Sequence, residues 1–266
     1  MFAAKLEKGM AMRTYDSYFD YELDLGKGVV ARYLKNAGLS LDNKSVLDIG
    51  CGEGGILAGL AESYNFTGLG LDYDGEMIEK ARDVPGSVFR QGDFFAYEFD
   101  EKYDFILLRD VLEHCGDPAR MLEKIAQLLK PDGFVYITYT PYLSPFGGHQ
   151  HNGSGFFSNV PFIHVLPEAP FLWLIRPRGN LYKESAYLVN DMKEIRETWL
   201  TTGKVNRICK AVGLRINASR SYLVRPDYRY KFGLPEIPHP AFLPVNTVTD
   251  VFCTCVEMLL SPGSAS

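Results

Sequence analysis

Nearly all-apolar strands alternate with helices between residues 45 and 140, and this alternation constrains the fold more than any other feature. The predicted strands are 45–50, 66–73, 87–95, 103–110 and 134–140. Asp74 is predicted to cap one intervening helix, and Asp117-Pro118 opens another. Strands that are apolar on both faces need helices on both sides. The pattern therefore predicts an α/β fold with a doubly wound, parallel sheet.

The first strand runs into a glycine-rich turn, VLDIGCGEGG, which fits two ligand-binding templates. Gly50, Gly52 and Gly55 satisfy the dinucleotide pattern GxGxxG, whereas Gly50, Gly52 and Gly54 satisfy GxGxG. Both patterns place backbone N–H groups at a helix start and let a ligand approach closely. Asp72, at the end of the second strand, could accept hydrogen bonds from ribose hydroxyls in either case. The glycines alone do not identify the ligand.

Acidic residues near the turn separate the two templates. Asp48 lies inside the first strand, where it would repel a pyrophosphate and favour a ligand with an ammonium group. Asp93 follows the third strand and could accept a hydrogen bond from the exocyclic amine of an adenine. Phe94, beside it, could offer an apolar face to that ring. These residues favour a cationic adenosine derivative over NAD.

Five segments in the same order resemble the class I S-adenosylmethionine-dependent methyltransferases. They are VLDIGCGEGG, GLDYDGEMIEKAR, GDFF, YDFILLRDVLEH and LLKPDGFVYIT, and the likeness covers roughly residues 24–140. The resemblance implies a Rossmann-like, seven-stranded sheet with six parallel strands and a last, antiparallel strand inserted at one edge. It also implies S-adenosyl-L-methionine as the cofactor.

The resemblance further implies where the methionine part of the cofactor binds. Gly50 and Gly52 would hold it, Asp48 would support their loop, and Arg109 would lie beneath it after the fourth strand. An N-terminal helix often closes the pocket in this family. The residues available here for that closure are Arg13, Tyr15 and Tyr18.

The adenosine part is assigned in the same way. By resemblance, Asp72 would bind the ribose hydroxyls and Tyr73 would lie against the adenine. Asp93 and Phe94 would complete the adenine pocket. For Asp72 a cap at the strand end, and for Asp93 an ordinary turn, are the structural alternatives.

The run SPFGGHQHNG, directly after the fifth strand, supplies the candidate catalytic residues His149 and His151. A histidine that titrates near neutral pH can take a proton from an acceptor hydroxyl. Two alternatives stay open for this pair. The histidines could bind a metal that orients a diol, although the run contains no acid, or they could simply face water.

The aromatic-rich segments 141–203 and 225–249 also allow two interpretations. They could form a lid over an organic substrate, or a small satellite core beneath a long insertion. Arginines in these segments could meet an acidic acceptor or be solvated: Arg176, Arg178 and Arg229.

Three residues are assigned structural roles. His114 is predicted to pack near the start of the following helix rather than to act in catalysis. Cys253 and Cys255 alternate along a predicted strand, and the sequence shows no partners for a zinc site. We therefore predict that these cysteines are small, buried core residues.

Composition excludes several classes of protein. The net charge of -5 disfavours a nucleic-acid partner, and no run of about 18 apolar residues predicts a membrane span. The start lacks the apolar region of a signal peptide, and the five cysteines show no disulfide spacing. A cytoplasmic location is therefore expected.

The sequence as a whole predicts a single methyltransferase domain. Its parts are an N-terminal helical cap (1–44), the cofactor-binding core (45–140), a substrate-side insertion (141–203) and a C-terminal helix with a strand pair (204–266). The predicted activity is methyl transfer to a small organic acceptor, with oxygen preferred as the accepting atom. The alternatives are a non-catalytic, cofactor-binding partner subunit and an NAD-dependent oxidoreductase.

Overall fold

A mixed β-sheet forms the centre of the computed structural model, which describes residues 15–153, 156–175 and 182–263. In these ranges the sheet has eight strands: β1 Ser45–Ile49, β2 Thr67–Asp72, β3 Ser87–Gln91, β4 Tyr103–Arg109, β5 Leu129–Tyr139, β6 Leu214–Val224, β7 Ile237–Pro238 and β8 Cys255–Pro262. Their order across the sheet is β3-β2-β1-β4-β5-β8-β6-β7. Strands β1 to β5 pair in parallel, as the sequence predicted.

The expected seven-stranded sheet with an antiparallel strand at its edge needs two corrections. The antiparallel strand, β8, lies between β5 and β6 and pairs with both. Seven of its eight residues are buried, which requires a neighbour on each side. The extra strand, β7, is a two-residue edge strand. Proline has no N–H to donate to a neighbouring strand, and Pro238 is tolerated because an edge strand has a neighbour on one side only.

The described helices cover both faces of the sheet. They are α1 Tyr18–Leu25, α2 Ala31–Asn36, α3 Gly55–Ala61, α4 Gly75–Glu79, α5 Pro118–Leu128, α6 Glu168–Ile175, α7 Tyr182–Thr198, α8 Thr202–Ala211 and α9 Tyr228–Phe232. Asp74 caps α4, and the Asp117 side chain caps α5, so these two predicted starts are confirmed. Helices α1 and α3 approach closely because Gly59 has no side chain. A Cβ at this position would lie 2.4 Å from the Leu23 carbonyl oxygen.

Two apolar clusters fill the spaces above and below the sheet. Successive residues of a strand point to opposite faces, so Leu47 of β1 belongs to one cluster and Val46 to the other. Ile106 and Leu107 of β4 divide in the same way. Burial on both faces confirms the doubly wound architecture. No helix within the described residues is long and apolar enough to cross a membrane.

The pattern of residues 190–214 is typical of one continuous helix, but the structure divides this segment between two helices. Helix α7 ends at Thr198, and Trp199 takes a left-handed φ of 41°. The carbonyl of Leu200 then accepts a hydrogen bond from the Tyr142 amide at 2.7 Å, and the Thr201 side chain caps α8. A buried contact and a new N-cap therefore outweigh the helical pattern.

The insertion after β5 contains a small apolar core, which was one of the two alternatives for this segment. Its buried members are Ile163, Phe171, Ile175 and Met192. The other alternative, a lid over the substrate, stays a prediction. Other large side chains of the same segment are exposed: Phe156, Phe162 and Trp173.

Candidate active site

The glycine-rich turn connects β1 to α3 at the carboxyl end of the sheet. Gly50, Gly52 and Gly54 have positive φ angles of 75°, 53° and 84°, which favour glycine over other residues. A Cβ at Gly50 would lie 2.4 Å from the Val111 side chain, and one at Gly54 would lie 2.5 Å from the Phe89 ring. The turn thus requires glycine for both its backbone angles and its close packing.

Asp72, the last residue of β2, holds this turn in place. One carboxylate oxygen accepts a hydrogen bond from the Gly52 amide at 2.8 Å, and the other accepts one from the Asp74 amide at 2.9 Å. The side chain therefore caps the strand end, as the structural alternative stated. Each carboxylate oxygen has two lone pairs, so capping leaves capacity for ribose hydroxyls.

Two buried carboxyl groups, those of Asp48 and Glu22, lie near this turn. Asp48 lies in β1, Glu22 lies in α1, and each has one buried oxygen that lacks a hydrogen-bond partner. Burial and, to a lesser extent, the charge of nearby Asp48 raise the pKa of Glu22 to about 8. Burial likewise raises the pKa of Asp48 to about 7. A cationic ligand at the turn would stabilise both carboxylates.

Glu22 was not predicted as a site residue, and the structure identifies it by its burial in α1. Glu22 is a buried acid among the buried residues Phe19, Tyr21 and Leu25. A Cβ at Gly52 would lie 3.3 Å from the Glu22 carboxylate, so the helix does lie against the turn. Arg13, one of the expected closing residues, lies outside the described residues. Of the other two, Tyr18 lies near Glu22, whose negative charge raises the pKa of the tyrosine, whereas the Tyr15 hydroxyl donates to Asp24.

The adenosine-side residues do not all face a common cleft. Tyr73 is 80% exposed, and exposed Asp93 caps its own turn by accepting a hydrogen bond from the Phe95 amide at 2.8 Å. The Gly92 amide donates to the Asp72 carbonyl, which brings the ends of β2 and β3 together. Phe94 is buried in the core against Phe95 and Phe99, so its ring does not offer the expected apolar face.

Four charged residues form a network at the end of β4. Arg109 donates to Asp227 at 2.8 Å, and Arg225 donates to both Asp227 and Asp110. Asp227 and Arg225 follow β6, so this network attaches the C-terminal segment to the site. The Arg109 guanidinium partly offsets the rise in the pKa of Glu22 and of Asp48. Its place beneath the methionine part of the cofactor stays a prediction. The pairing of Arg109 with Asp227 was not predicted from the sequence.

The loop after β5 brings His149 against His114. Their ring centroids lie 4.9 Å apart, and His151 lies 5.7 Å from His149. Enclosure by protein atoms lowers the pKa of His149 well below 6.5, and the positive charges of His114 and His151 lower it further. His149 is therefore neutral at physiological pH.

His114 joins the site to α7, which the sequence did not predict. Its Nδ1 lies 2.6 Å from a carboxylate oxygen of Asp191. Burial alone would lower the pKa of His114, but Asp191 and Glu113 raise it to about 9. The predicted packing role near the start of α5 is compatible with this bond. The close approach to His149 is new.

A possible metal-binding group also lies here. Ligand atoms of Glu113, His114 and His149 lie within 4.8 Å of one another. One Glu113 oxygen accepts from the Thr140 amide, and the other is buried without a partner. The acid missing from the histidine loop is thus supplied by the segment after β4.

Cys253 and Cys255 are free and buried, as predicted for core residues.

Comparisons with known proteins identify the family. The profile of the family described as "Methyltransferase domain" matches residues 20–215. An ubiquinone biosynthesis O-methyltransferase of Proteus mirabilis is 32% identical over 113 residues, covering 40% of this chain and 46% of that protein. An uncharacterized methyltransferase of Mycolicibacterium gilvum is 34% identical over 122 residues, covering 42% of this chain and 46% of that protein. The chain spans about half the length of the curated relatives it matches.

Solved structures share the fold at low sequence identity. A protein of Listeria monocytogenes, described as a putative S-adenosylmethionine-dependent methyltransferase, aligns with a TM-score of 0.57 at 14% identity, covering 90% of this chain and 98% of that one. The plantazolicin methyltransferase BpumL aligns with a TM-score of 0.54 at 15% identity, covering 93% and 86%. At these identities the likenesses show a shared fold alone. The chain therefore belongs to the class I S-adenosylmethionine-dependent methyltransferase family, as its sequence motifs predicted.

Proposed function

We propose that this methyltransferase acts on a hydroxyl oxygen of a small organic acceptor and that His149 receives the hydroxyl proton. The observation that carries the proposal is the neutral His149 beside His114. A weakly acidic hydroxyl needs a base before its oxygen can attack. The names of the O-methyltransferase relatives support oxygen as the acceptor atom, but their matched stretches are too short to indicate the acceptor itself.

The donor site fits S-adenosyl-L-methionine on two observations. Glu22 and Asp48 each have a buried oxygen without a donor, which suits the ammonium group of the methionine part. Gly50 and Gly52 have no side chains, so a ligand can approach the backbone of the turn. A side chain at either position would also be strained or crowded. Asp72, with lone pairs to spare, would take the ribose hydroxyls. When bound, the cofactor supplies an electrophilic methyl carbon attached to a sulfonium.

The acceptor side explains which hydroxyls would react. His149 has a low pKa and is a weak base, so an aliphatic alcohol would surrender its proton poorly. A phenol is more acidic, and its developing negative charge would be stabilised by the protonated His114. The acceptor oxygen would form the new C–O bond as the C–S bond breaks, while its proton passes to His149. We therefore propose a phenolic or similarly acidic hydroxyl, with exposed His151 at the entrance.

An activity screen tests this proposal. The purified protein would be incubated with S-adenosyl-L-methionine and a panel of phenols, alcohols, amines and thiols, and products would be detected by the added mass of one methylene group. Phenols should be methylated by the wild type and poorly by His149→Ala. His239→Ala, which alters a buried histidine outside this cluster, is the matched control. Methylation confined to amines or thiols would contradict the proposal.

Treatment with a chelator distinguishes two roles for His149, a catalytic base and a metal ligand. His149 and the nearby Glu113 could act together in holding a metal ion, and then His149 would not be free to accept a proton. Turnover by the wild type should persist after treatment with EDTA. Loss of turnover, with recovery on adding a divalent cation, would replace the base by a metal site.

Five free cysteines are compatible with the reducing, cytoplasmic location that we propose for the enzyme.

A further inference from the structure

The carboxyl ends of β4 and β5 bring together three side chains that can bind a metal. Glu113 and His114 lie in the short turn that follows β4, and His149 lies in the loop after β5. The two strands are parallel neighbours, so these ends meet at one edge of the sheet. One ligand atom from each residue lies within 4.8 Å of those of the other two. The fold therefore collects residues that are distant in sequence into one group of donors.

The Glu113 carboxylate is held in place but only half satisfied. Only 1% of the residue is exposed, and one oxygen accepts a hydrogen bond from the Thr140 amide at 3.0 Å. The other oxygen is buried and has no hydrogen-bond partner among the described residues. A buried polar atom without a partner costs free energy, and a bound cation would offset that cost. The first oxygen thus orients the carboxylate, and the second is available to a cation.

Asp191 of α7 orients the His114 ring. One of its carboxylate oxygens lies 2.6 Å from Nδ1 of His114, so Nε2 is the ring nitrogen left to bind a metal. Metal-binding histidines typically donate the other ring N–H to a carboxylate or a carbonyl, which fixes the ring and makes it a better ligand. The ring of His149 faces this histidine, with the two centroids 4.9 Å apart. The contact with Asp191 is therefore typical of a metal-binding histidine.

Two imidazoles and one carboxylate favour zinc over magnesium or calcium. Magnesium and calcium prefer oxygen ligands alone, whereas zinc takes nitrogen and oxygen donors at about 2.0–2.2 Å. Tetrahedral donors at such distances lie roughly 3.4 Å apart. The most distant donors of this group therefore need to approach each other by no more than about 1.4 Å to complete a zinc site.

We propose that Glu113, His114 and His149 bind a zinc ion that inhibits methyl transfer. Zinc and the proton of the acceptor hydroxyl compete for the same imidazole, because a nitrogen lone pair bound to zinc cannot accept a proton. The inhibition rests on the proposed role of His149 as the base, whereas the binding of zinc does not. The metal-free protein is then the active form, in agreement with the persistence of turnover that we expect after EDTA treatment.

Calorimetric titration of zinc chloride into the full-length protein, after EDTA treatment and dialysis, tests the binding without turnover. The wild type should bind one zinc ion per chain. Asp191→Asn should weaken this binding about 10- to 100-fold, and Glu113→Gln or His149→Ala, which remove a ligand, should weaken it at least about 100-fold. Cys115→Ser, which removes the thiol next to His114, is the control and should bind zinc as the wild type does. Cooperative thermal unfolding of each variant shows that it is folded.

Zinc should also inhibit the methylation of phenols, with half-maximal inhibition at a concentration close to its Kd, and EDTA should restore the rate. Absence of saturable zinc binding, or equal zinc affinity in Glu113→Gln and the wild type, would overturn the site. Loss of zinc binding in Cys115→Ser would overturn it too, because the ion would then be bound by a thiol.

The remaining outcomes concern the inhibition and the proposed function. Zinc that binds to these residues but leaves the rate unchanged, or raises it, would overturn the inhibition. Absence of phenol methylation by the metal-free protein would instead contradict the proposed function. Calorimetry distinguishes that failure from failure of the zinc site, because it measures binding alone.

Discussion

The Gly52 amide donates a hydrogen bond of 2.8 Å to the Asp72 carboxylate and so joins the glycine turn to the end of β2. The second Asp72 oxygen accepts from the Asp74 amide, at the start of α4. One side chain therefore positions two backbone segments that border the proposed donor site. The role proposed for Asp72 in binding ribose would therefore be linked to its role in shaping the turn.

Replacing Asp72 tests this link. Asp72→Ala removes both hydrogen bonds and should lower the affinity for S-adenosylhomocysteine, with a loss of unfolding free energy of about 1–3 kcal/mol. Asp72→Asn keeps the shape and one accepting oxygen, so it should fall between the alanine variant and the wild type. Calorimetric titration and thermal unfolding measure the two effects. Unchanged affinity in Asp72→Ala would remove the ribose assignment.

Ligand binding should release protons because of Glu22. The folded pKa of Glu22 is raised from 4.5 to about 8, so its protonated form stabilises the ligand-free protein at low pH. That contribution is complete below the unfolded pKa and is lost as pH rises through the folded pKa. A bound ammonium favours the ionised form, so affinity should rise between about pH 5 and 8, by up to about tenfold per pH unit for each proton released.

Proton release is measured by titrating S-adenosylhomocysteine in buffers of different ionisation enthalpy. Glu22→Gln should bind less tightly and should release fewer protons than the wild type. Glu62→Gln, which alters an exposed acid paired with Lys27, is the control. Identical proton release by Glu22→Gln and the wild type would show that this carboxyl does not face the ligand.

The pH dependence of turnover tests His149. A base acts in its neutral form, and the pKa of His149 is lowered, so turnover should be flat through neutral pH and should fall only well below pH 6.5. His149→Ala should reduce turnover about 10²- to 10⁴-fold while sparing cofactor affinity. His151→Ala should have a smaller effect, because that residue is exposed. Full activity of His149→Ala would assign the histidine to a solvated loop.

Two glycines with the same backbone conformation provide a steric test of the turn. Gly54 and Gly38 have φ angles of 84° and 69°, but only at Gly54 would a Cβ meet another atom, the Phe89 ring at 2.5 Å. Gly38→Ala should cost about 1 kcal/mol of unfolding free energy. Gly54→Ala should cost about 1–3 kcal/mol more and should weaken cofactor binding. Equal costs in denaturant unfolding would contradict the packing described.

The charge network at β4 should matter for stability. Asp227→Ala leaves Arg109 and Arg225 with one shared carboxylate and should destabilise the protein by about 3–5 kcal/mol. Glu62→Ala removes an exposed pair and should cost less than about 1 kcal/mol. The pKa of Asp227 is lowered, so its contribution is present at neutral pH and is lost as pH falls. Similar unfolding midpoints for the two variants would contradict this account.

The sequence predicted those features that depend on local pattern. Continuous apolar runs identified the five parallel strands, and Asp74 and Asp117 marked helix starts because N-capping is a contact between near neighbours. The glycine turn and Asp72 were also found from spacing alone. Their contact at 2.8 Å follows from the adjacency of β1 and β2.

Features set by long-range contacts could not be predicted in this way. The place of β8 between β5 and β6 depends on pairing with β6 and with β5, and β5 lies more than a hundred residues earlier in the chain. Asp227 lies in a proline-rich connection without periodicity, yet it reaches Arg109. Phe94 was expected at the cleft. Its position after a strand does not show on which side its ring packs. Its burial is decided by Phe95 and Phe99.

The central claim is that the glycine turn binds a methyl donor, and calorimetric titration with S-adenosylhomocysteine, with NAD in parallel, tests it most directly. The account predicts saturable, one-site binding of S-adenosylhomocysteine and no binding of NAD, because Asp48 and Glu22 favour an ammonium and oppose a pyrophosphate. Binding of NAD alone would contradict the assignment of the turn from Gly50 onward. Binding of neither ligand would contradict the claim that this chain forms a complete donor site by itself.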